Sequence, residues 1–229
     1  MTHRRSRPAA MLAVALCLGG PGVTRAQTET EPSVALPAPR REGEISVENA
    51  LAQRRSIRTF RNEPLPLAAV SQLLWAAQGI THGDGLRTAP SAGALYPLEL
   101  YLVAGAVADL APGVYRYEPQ RHRVRPHLAG DLRSQLAASA LEQHWVAEAP
   151  AVLVLAAVYD RTAHKYGARA PRYVHMEVGH AAQNVYLQAA ALDLGTTLVG
   201  AFHDEHLTRV LRLPSGVEPL GLMPVGRPR

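Results

Sequence analysis

The 229-residue chain is poor in several residue types that carry function elsewhere. Cys17 is its only cysteine, which excludes an intramolecular disulfide and a cysteine metal site. Aromatic residues make up only 5% of the chain, too few for a stacking surface that would bind single-stranded nucleic acid. Apolar runs stay short of the roughly 18 residues that a membrane-spanning helix needs. We therefore expect neither nucleic-acid binding nor membrane insertion.

The first 26 residues have the order of an export signal: arginines, a short apolar run over residues 9–18, and a small-residue cleavage site ending at Ala26. This segment holds four of the 24 basic residues and none of the 19 acidic ones, so its removal lowers the net charge from +5 to +1. We expect a periplasmic or secreted protein. General secretory export fits better than the twin-arginine route, which stays open because of Arg4 and Arg5.

The mature chain divides into a tether and one domain. Residues 27–44 mix Pro, Glu and Thr without a helical or strand period, which predicts a disordered linker, and the domain spans residues 45–229. Helices are predicted over 47–54, 67–78 and after Asp204, and strands over 98–103, 151–158, 196–201 and 220–225, with a hairpin over 113–128. Helices and strands are interspersed without a regular β-α-β repeat, which predicts an α+β fold.

A long helix is predicted over residues 177–194, where apolar residues lie on most faces and Gly195 ends the pattern. We expect this helix to be buried in the core or against a second subunit.

Two polar or small-residue segments are candidate ligand sites. Arg54, Arg55, Ser56 and Arg58 follow the first predicted helix and offer charge-assisted donors for a phosphate, although a solvated basic surface is the alternative. The loop over residues 89–97, PSAGALYP after Ala89, would let its backbone approach a flat ligand closely, although a tight connecting turn is equally compatible.

The third candidate is Lys165 with Tyr166, after the strand predicted over 151–158. A chain that uses arginine at 23 other positions has its one primary amine here, and an adjacent Lys and Tyr can act as an acid/base pair. Chance placement of a surface lysine beside a packed tyrosine is the alternative.

Metal and nucleotide motifs are missing. The spacing of His175, Glu177 and His180 differs from HExxH, and residues 203–206 are too compact for two imidazoles to bind one metal, so no metal site is expected. GxSxG, Walker A and GxGxxG patterns do not occur.

Four segments carry a family resemblance in this order: RRSIRTF, PSAGALYP, KYGARAPRY and the closing PVGRP. Through them the chain resembles the nitroreductase superfamily, and within it the SagB-type, azoline-oxidase-like, FMN-dependent dehydrogenases. The resemblance covers about residues 46–229. It implies an α+β sandwich that forms a homodimer, with FMN at the interface and a long central helix. Ala94 stands where many nitroreductases carry asparagine, and Ala170-Pro171 replaces a common Gly-Tyr.

The resemblance also implies roles for single residues. The phosphate and ribityl chain of FMN would contact Arg54, Arg55, Ser56 and Arg58, and Arg227 or Arg229 would add a further phosphate contact. The flavin ring would contact Ser91, Ala92, Gly93 and Leu95. A backbone N–H of the Leu198-Val199-Gly200 segment would face flavin N5. Lys165 and Tyr166 would take the substrate proton while hydride passes to the flavin.

Three functions follow from these observations. The first is an exported FMN-dependent oxidoreductase acting on a small-molecule or peptide substrate. The second is a non-catalytic protein that binds a flavin or a phosphate ligand on the same fold. The third is polyanion binding through the arginines, which the near-neutral charge of the mature chain disfavours.

Overall fold

The computed structural model describes residue 1 and residues 33–229, so the predicted export signal lies outside the described residues. Residues 33–229 form seven strands: β1 (Val34–Ala35), β2 (Leu98–Ala104), β3 (Gly113–Glu118), β4 (Arg123–Ala129), β5 (Ala151–Ala157), β6 (Gly195–Thr196) and β7 (Glu218–Gly226). The same residues form seven α-helices: α1 (Val47–Gln53), α2 (Leu67–Gln78), α3 (Arg133–Ser139), α4 (Trp145–Glu148), α5 (Tyr159–Tyr166), α6 (Ala170–Ala191) and α7 (Asp204–Val210).

The strands form one antiparallel sheet in the order β1-β4-β3-β2-β5-β7-β6. The central strands β2 and β5 are buried along their whole length, which explains their continuous apolar sequences. Alternate residues of β5 face opposite layers: Leu153 and Leu155 pack with α2 and α6, while Val152 and Val154 pack with α3, α4 and α7. The structure is therefore a sheet between two helical layers, and the predicted α+β fold is confirmed.

The long helix α6 begins at Ala170, seven residues before the predicted start. Pro171 lies in its first turn, where a fixed φ favours the helix, and Ala170 and Val174 extend the buried stripe toward the N-terminus. One face packs on α2 and the sheet, whereas Met176 and His180 on another face are exposed. The helix is thus buried on one side in this chain.

The strand predicted over residues 196–201 is wrong beyond Thr196, because β6 ends there. The N–H of Leu198 donates to the side-chain hydroxyl of Tyr186 and not to a neighbouring strand. Val199 makes one isolated bridge with Leu222. In α7, Asp204 is the first helical residue, and His203 holds the cap position without a side-chain hydrogen bond, contrary to the predicted cap at Asp204.

The predicted disordered linker is corrected for its described part. Val34–Ala35 pairs with β4 as strand β1, and Leu36 is buried. The imidazole of His122 shares hydrogen bonds with the carbonyl oxygen of Pro37 (3.0 Å) and the hydroxyl of Ser71 (2.7 Å). These long-range contacts order the segment, and its own sequence has no period that would predict them.

No helix within residues 33–229 has the length and apolar character needed to cross a membrane.

Candidate functional site

The Lys-Tyr pair lies at the end of α5, against the small-residue loop. The amine nitrogen of Lys165 lies 5.4 Å from the centroid of the Tyr166 ring. A Cβ atom placed on Gly93 would lie 3.0 Å from the Tyr166 hydroxyl oxygen and 3.1 Å from Lys165 Nζ. The structure therefore brings both polar groups of the pair to one glycine of the loop, although 72 residues separate Gly93 from Lys165 in sequence.

The loop over residues 91–96 has an unusual backbone. Gly93, Ala94 and Tyr96 have φ values of 63°, 54° and 47°, in the left-handed region that residues with a side chain rarely adopt. The Ser91 hydroxyl oxygen accepts a hydrogen bond of 2.8 Å from the Tyr96 N–H, which closes the loop. Such strain persists only where surrounding contacts hold it, and it is common at ligand sites.

Glu177 of α6 supplies one of those contacts. Its Oε1 accepts a hydrogen bond of 2.9 Å from the Ala92 N–H, and the side chain is buried in the apolar stripe of the helix. Burial raises the pKa of Glu177, and hydrogen bonds from Ala92 and Ser91 oppose that rise in part. In the sequence, Glu177 attracts notice only beside His175 and His180, whose spacing does not match a metal-binding motif. An acid inside an apolar stripe, three residues after Val174, is the signal that could have identified it, because a buried carboxylate requires a partner.

We call Ser91, Ala92, Gly93, Lys165, Tyr166 and Glu177 the Lys-Tyr cluster. Leu95, the fourth loop residue predicted to contact a flavin, lines a different cavity that is described below.

The arginine-serine segment gathers around Tyr186 of α6. The Ser56 hydroxyl lies 3.3 Å from the Tyr186 hydroxyl, and the Arg54 guanidinium lies 5.2 Å from the centre of the Tyr186 ring. The backbone of Ser56 also forms an isolated β-bridge with Thr196, which fixes this segment beside β6. The hydroxyl of Tyr186 accepts a hydrogen bond of 2.7 Å from the Leu198 N–H. Arg54, Ser56, Tyr186 and the 198–200 segment, together with Arg55, form what we call the Arg-Ser cluster.

Tyr186 was not among the predicted site residues. Burial alone would raise the pKa of Tyr186, but hydrogen bonds with Ser56, Thr197 and the Leu198 N–H bring it below its ordinary value. A tyrosine hydroxyl that forms hydrogen bonds with two segments can fix their relative position. Its sequence neighbours on α6 give no sign of this role, since the partners come from distant parts of the chain.

A cavity of about 380 Å³ lies beside the Arg-Ser cluster. Its lining includes four arginines, Arg54, Arg55, Arg61 and Arg229, and one acidic residue, Asp193. Two other predicted phosphate ligands lie elsewhere: the Arg58 guanidinium is 5.9 Å from the centre of the Trp145 ring, and Arg227 forms an ion pair of 3.0 Å with Glu63. Of the two C-terminal arginines considered from sequence, Arg229 is therefore the one that shares this cavity with Arg54 and Arg55.

The 198–200 segment has one available backbone donor. The Leu198 N–H donates to Tyr186, and the Val199 N–H donates to the Leu222 carbonyl oxygen at 2.8 Å. The Gly200 N–H has no hydrogen-bond partner among residues 33–229. Of the three predicted N–H groups, that of Gly200 is thus the one free to meet a ligand.

The two clusters lie at different heights of α6. Glu177 and Tyr186 are nine residues apart, which corresponds to roughly 13 Å along a helix axis. The structure therefore groups the predicted site residues into two sets within one chain and does not merge them. Among residues 33–229, no group of three or more His, Cys, Asp or Glu side chains could hold a metal ion.

Comparisons with known proteins agree on one family. The model of the nitroreductase family matches residues 51–227. A nitroreductase-like protein of Methanocaldococcus jannaschii is 49% identical over 184 residues, which cover 80% of this chain and 92% of that protein.

Solved structures give the same result for the fold. A nitroreductase-like protein of Ralstonia eutropha has a TM-score of 0.76 and 31% identity, covering 88% of this chain and 91% of that one. A chain of the Escherichia coli microcin synthetase McbBCD complex, solved with truncated pro-MccB17 bound, has a TM-score of 0.70 at 22% identity and covers 94% of this chain and 85% of that one. At this identity the second match speaks for the fold alone.

Proposed function

The chain belongs to the nitroreductase family, and on that premise we propose that it is an exported, homodimeric FMN-dependent oxidoreductase of the SagB type. The observation that carries this proposal is the convergence of Lys165 Nζ and the Tyr166 hydroxyl on Gly93. An amine and a phenol that meet at a glycine of a strained loop can exchange protons with a substrate beside a flat ligand held against that loop.

The residues present fit both the phosphate group and the flavin ring of FMN. Arg54, Arg55 and Arg229 line a cavity with a single acid and offer the charge-assisted donors that a phosphate needs. Gly93 has no side chain to cover a flat ring, and the Gly200 N–H is available as a donor. When bound, FMN would supply the two-electron chemistry, accepting or giving up hydride.

The chain's own residues would manage position and protons. Lys165 and Tyr166 would give a proton to the substrate, or take one from it, at the amine nitrogen and the phenol oxygen. Glu177 would hold the loop through the Ala92 N–H, and Tyr186 would hold the 198–200 segment through the Leu198 N–H. Two fixed backbone segments would thus define where the ring lies.

The separation of the two clusters along α6 supports the proposed homodimer. A second chain packed along α6 could bring its Lys-Tyr cluster to the Arg-Ser cluster of the first chain. One complete site would then be formed from two chains. Apolar side chains support such an interface: Val47 and Leu51, one turn apart on α1, are 65% and 52% exposed, and Met176 of α6 is 53% exposed.

The SagB-type assignment rests on KYGAR, residues 165–169, and on Ala94 in the loop. The fold likeness to a microcin synthetase chain is compatible with this assignment. On the SagB-type assignment, a peptide or an azoline-like small molecule is the substrate class to test first. Export rests on the leader sequence, and recovery of the processed chain from the periplasmic or extracellular fraction tests it.

The visible absorption spectrum tests the cofactor. We expect the purified protein, after incubation with FMN and desalting, to retain flavin at about one per chain, as full occupancy requires. The double variant Arg54→Gln/Arg55→Gln should lose most of it, whereas Arg209→Gln, an exposed arginine on α7, should not.

A folded wild-type protein that stays colourless would overturn the flavin assignment. Retention of FMN without turnover of any azoline, nitroaromatic or quinone substrate would favour the non-catalytic alternative.

A further inference from the structure

A second cavity, of about 570 Å³, has Leu95 and Tyr96 of the loop over residues 91–96 in its lining. Its lining contains six arginines: Arg87, Arg116, Arg121, Arg123, Arg125 and Arg161. We call it the six-arginine cavity. It shares no lining residue with the cavity beside the Arg-Ser cluster, and its volume is within the range of small-molecule sites.

Two glutamates compensate only part of this charge. Glu99 pairs with Arg116 at 2.8 Å and with Arg161. Glu118 pairs with Arg123 and, at 2.9 Å, with Arg125. Each carboxylate is thus shared by two guanidinium groups, so these four arginines keep an excess of two positive charges.

Arg87 and Arg121 add two more charges. Neither has a carboxylate within 4.0 Å among residues 33–229, and Arg121 is exposed. Six guanidinium groups against two carboxylates leave four positive charges around one cavity. The mature chain as a whole has a predicted net charge of only +1, so the excess is local.

Arg87 is held in place but is short of an acceptor. Its guanidinium lies 4.5 Å from the centre of the Tyr96 ring, and its Nη1 donates to Gln78 Oε1 at 2.8 Å. Its Nε is buried and has no hydrogen-bond partner among residues 33–229. An unsatisfied buried donor is costly, and the side chain lines the cavity, where a negatively charged oxygen would meet the guanidinium group.

The cavity also adjoins the Lys-Tyr cluster. Arg161 lies four residues before Lys165 on α5, and its Nη1 donates to the Tyr96 carbonyl oxygen at 3.1 Å. The Arg87 N–H donates to the Tyr96 hydroxyl at 3.3 Å. Tyr96, which has a left-handed backbone, therefore connects two cavity arginines to the loop whose Gly93 meets the amine and the phenol.

We propose that the six-arginine cavity binds a small anion with at least two negative charges, a phosphate ester or a polycarboxylate, at a site separate from the cofactor site. Arg87 and Arg121 hold its oxygens, and the two glutamates keep the other four guanidinium groups in position. The site does not depend on the identity of the cofactor.

Isothermal titration calorimetry tests the proposal on the purified full chain saturated with FMN, or on the same chain without FMN if it does not bind. The probes are inorganic pyrophosphate and citrate at low salt. We expect one site per chain, with affinity that falls steeply as salt is raised. A preference for pyrophosphate would assign the site to phosphate esters, and a preference for citrate to polycarboxylates.

Variants locate the site. Arg87→Gln should weaken binding about tenfold or more, as expected for a charge-assisted hydrogen bond, and Arg121→Gln by several-fold. Arg209→Gln, outside the cavity, should bind as the wild type does. Because Arg121 is exposed and has no carboxylate partner among residues 33–229, its substitution keeps the test valid even if Arg87→Gln fails to fold.

Absence of binding heat for both probes on folded protein overturns the proposal. So does binding that Arg121→Gln leaves unchanged, or binding of pyrophosphate that occurs on the FMN-free chain but not on the FMN-saturated one, since that would place the anion in the cofactor site. The flavin spectrum without added anion is a separate measurement, so the two proposals fail separately.

Discussion

The carboxylate of Glu177 accepts a hydrogen bond of 2.9 Å from the backbone N–H of Ala92. This contact joins the middle of the scaffold, helix α6, to the loop whose next residue meets Lys165 and Tyr166. The acid is buried, so it stabilises the loop at the expense of its own hydration. The contact therefore has a consequence for stability that depends on pH.

Glu177→Gln should keep the acceptor oxygen for Ala92 and remove the buried charge. The pKa of Glu177 in the folded protein is raised above its ordinary value of 4.5, mainly by burial. Folded protein then binds more protons than unfolded protein between those two values, so the contribution of Glu177 to stability is complete below pH 4.5 and is lost as pH rises through the folded pKa. The melting temperature of the variant minus that of the wild type should therefore increase as pH rises above 4.5.

Glu177→Ala is the matched control, since it removes both the charge and the acceptor. We expect it to lower the free energy of unfolding by about 1 kcal/mol at neutral pH relative to Glu177→Gln, because the Ala92 N–H loses its partner. Differential scanning fluorimetry from pH 4 to pH 9 measures both. A melting-temperature difference between Glu177→Gln and the wild type that stays flat over this range would contradict the assignment.

Gly93→Ala should reduce turnover. The new methyl group would lie 3.0 Å from the Tyr166 hydroxyl and 3.1 Å from Lys165 Nζ, at a residue with φ of 63°. The left-handed backbone alone costs a non-glycine residue about 1 kcal/mol, and the methyl group displaces the two polar groups. We expect loss of turnover with the melting temperature lowered by only a few degrees.

Gly83→Ala serves as its control, because a Cβ atom there meets nothing within 4 Å and the backbone is not left-handed. It should leave both turnover and stability unchanged. Equal turnover in the two variants would show that Gly93 does not lie at the reacting groups.

The sequence could predict the buried elements of this fold. β5 and α2 are apolar runs between turn residues, with the lengths expected of a strand and a helix. Such runs predict burial, and most residues of both elements are buried. It could not predict β1, because the contacts that order residues 34–37 come from His122 and Ser71, far along the chain. The predicted strand does not continue past Thr196 for the same reason, because the Leu198 N–H donates to the Tyr186 hydroxyl of α6 and not to a strand.

The candidate site was predictable as separate motifs. Residue chemistry singled out Lys165 and the small loop, and the structure adds that they meet at Gly93. Glu177 and Tyr186 were missed because their roles depend on which segments face α6, and helical periodicity reports only which face is buried.

Tyr186→Phe should weaken FMN binding several-fold. The change removes the acceptor of the Leu198 N–H and the partner of the Ser56 hydroxyl, and so frees both segments of the Arg-Ser cluster. The lost hydrogen bonds should also lower the free energy of unfolding by about 1 kcal/mol. Fluorescence quenching of FMN measures the dissociation constant.

Tyr159→Phe is a matched control that loses one tyrosine hydroxyl bonded to His175, away from the Arg-Ser cluster. It should cost similar stability and leave FMN affinity unchanged. If Tyr186→Phe also keeps the wild-type affinity, Tyr186 has a structural role only.

Lys165→Arg and Tyr166→Phe test the proton-transfer role directly. Arginine keeps the positive charge but cannot release a proton at ordinary pH, and phenylalanine keeps the ring but lacks the hydroxyl. If the pair transfers protons, kcat should fall about 10²- to 10⁴-fold in each variant, with flavin content unchanged.

Tyr173→Phe provides the control for Tyr166→Phe, since the ring of Tyr173 packs edge-on against Tyr166 at 4.9 Å and keeps that contact without its hydroxyl. Steady-state turnover is measured with whichever azoline or nitroaromatic substrate the wild type uses fastest. Wild-type kcat in both Lys165→Arg and Tyr166→Phe would refute proton transfer by the pair. A fall in flavin content that accounts for the lost turnover would instead assign the two residues to holding the cofactor, because unoccupied sites cannot turn over while occupied sites would keep their rate.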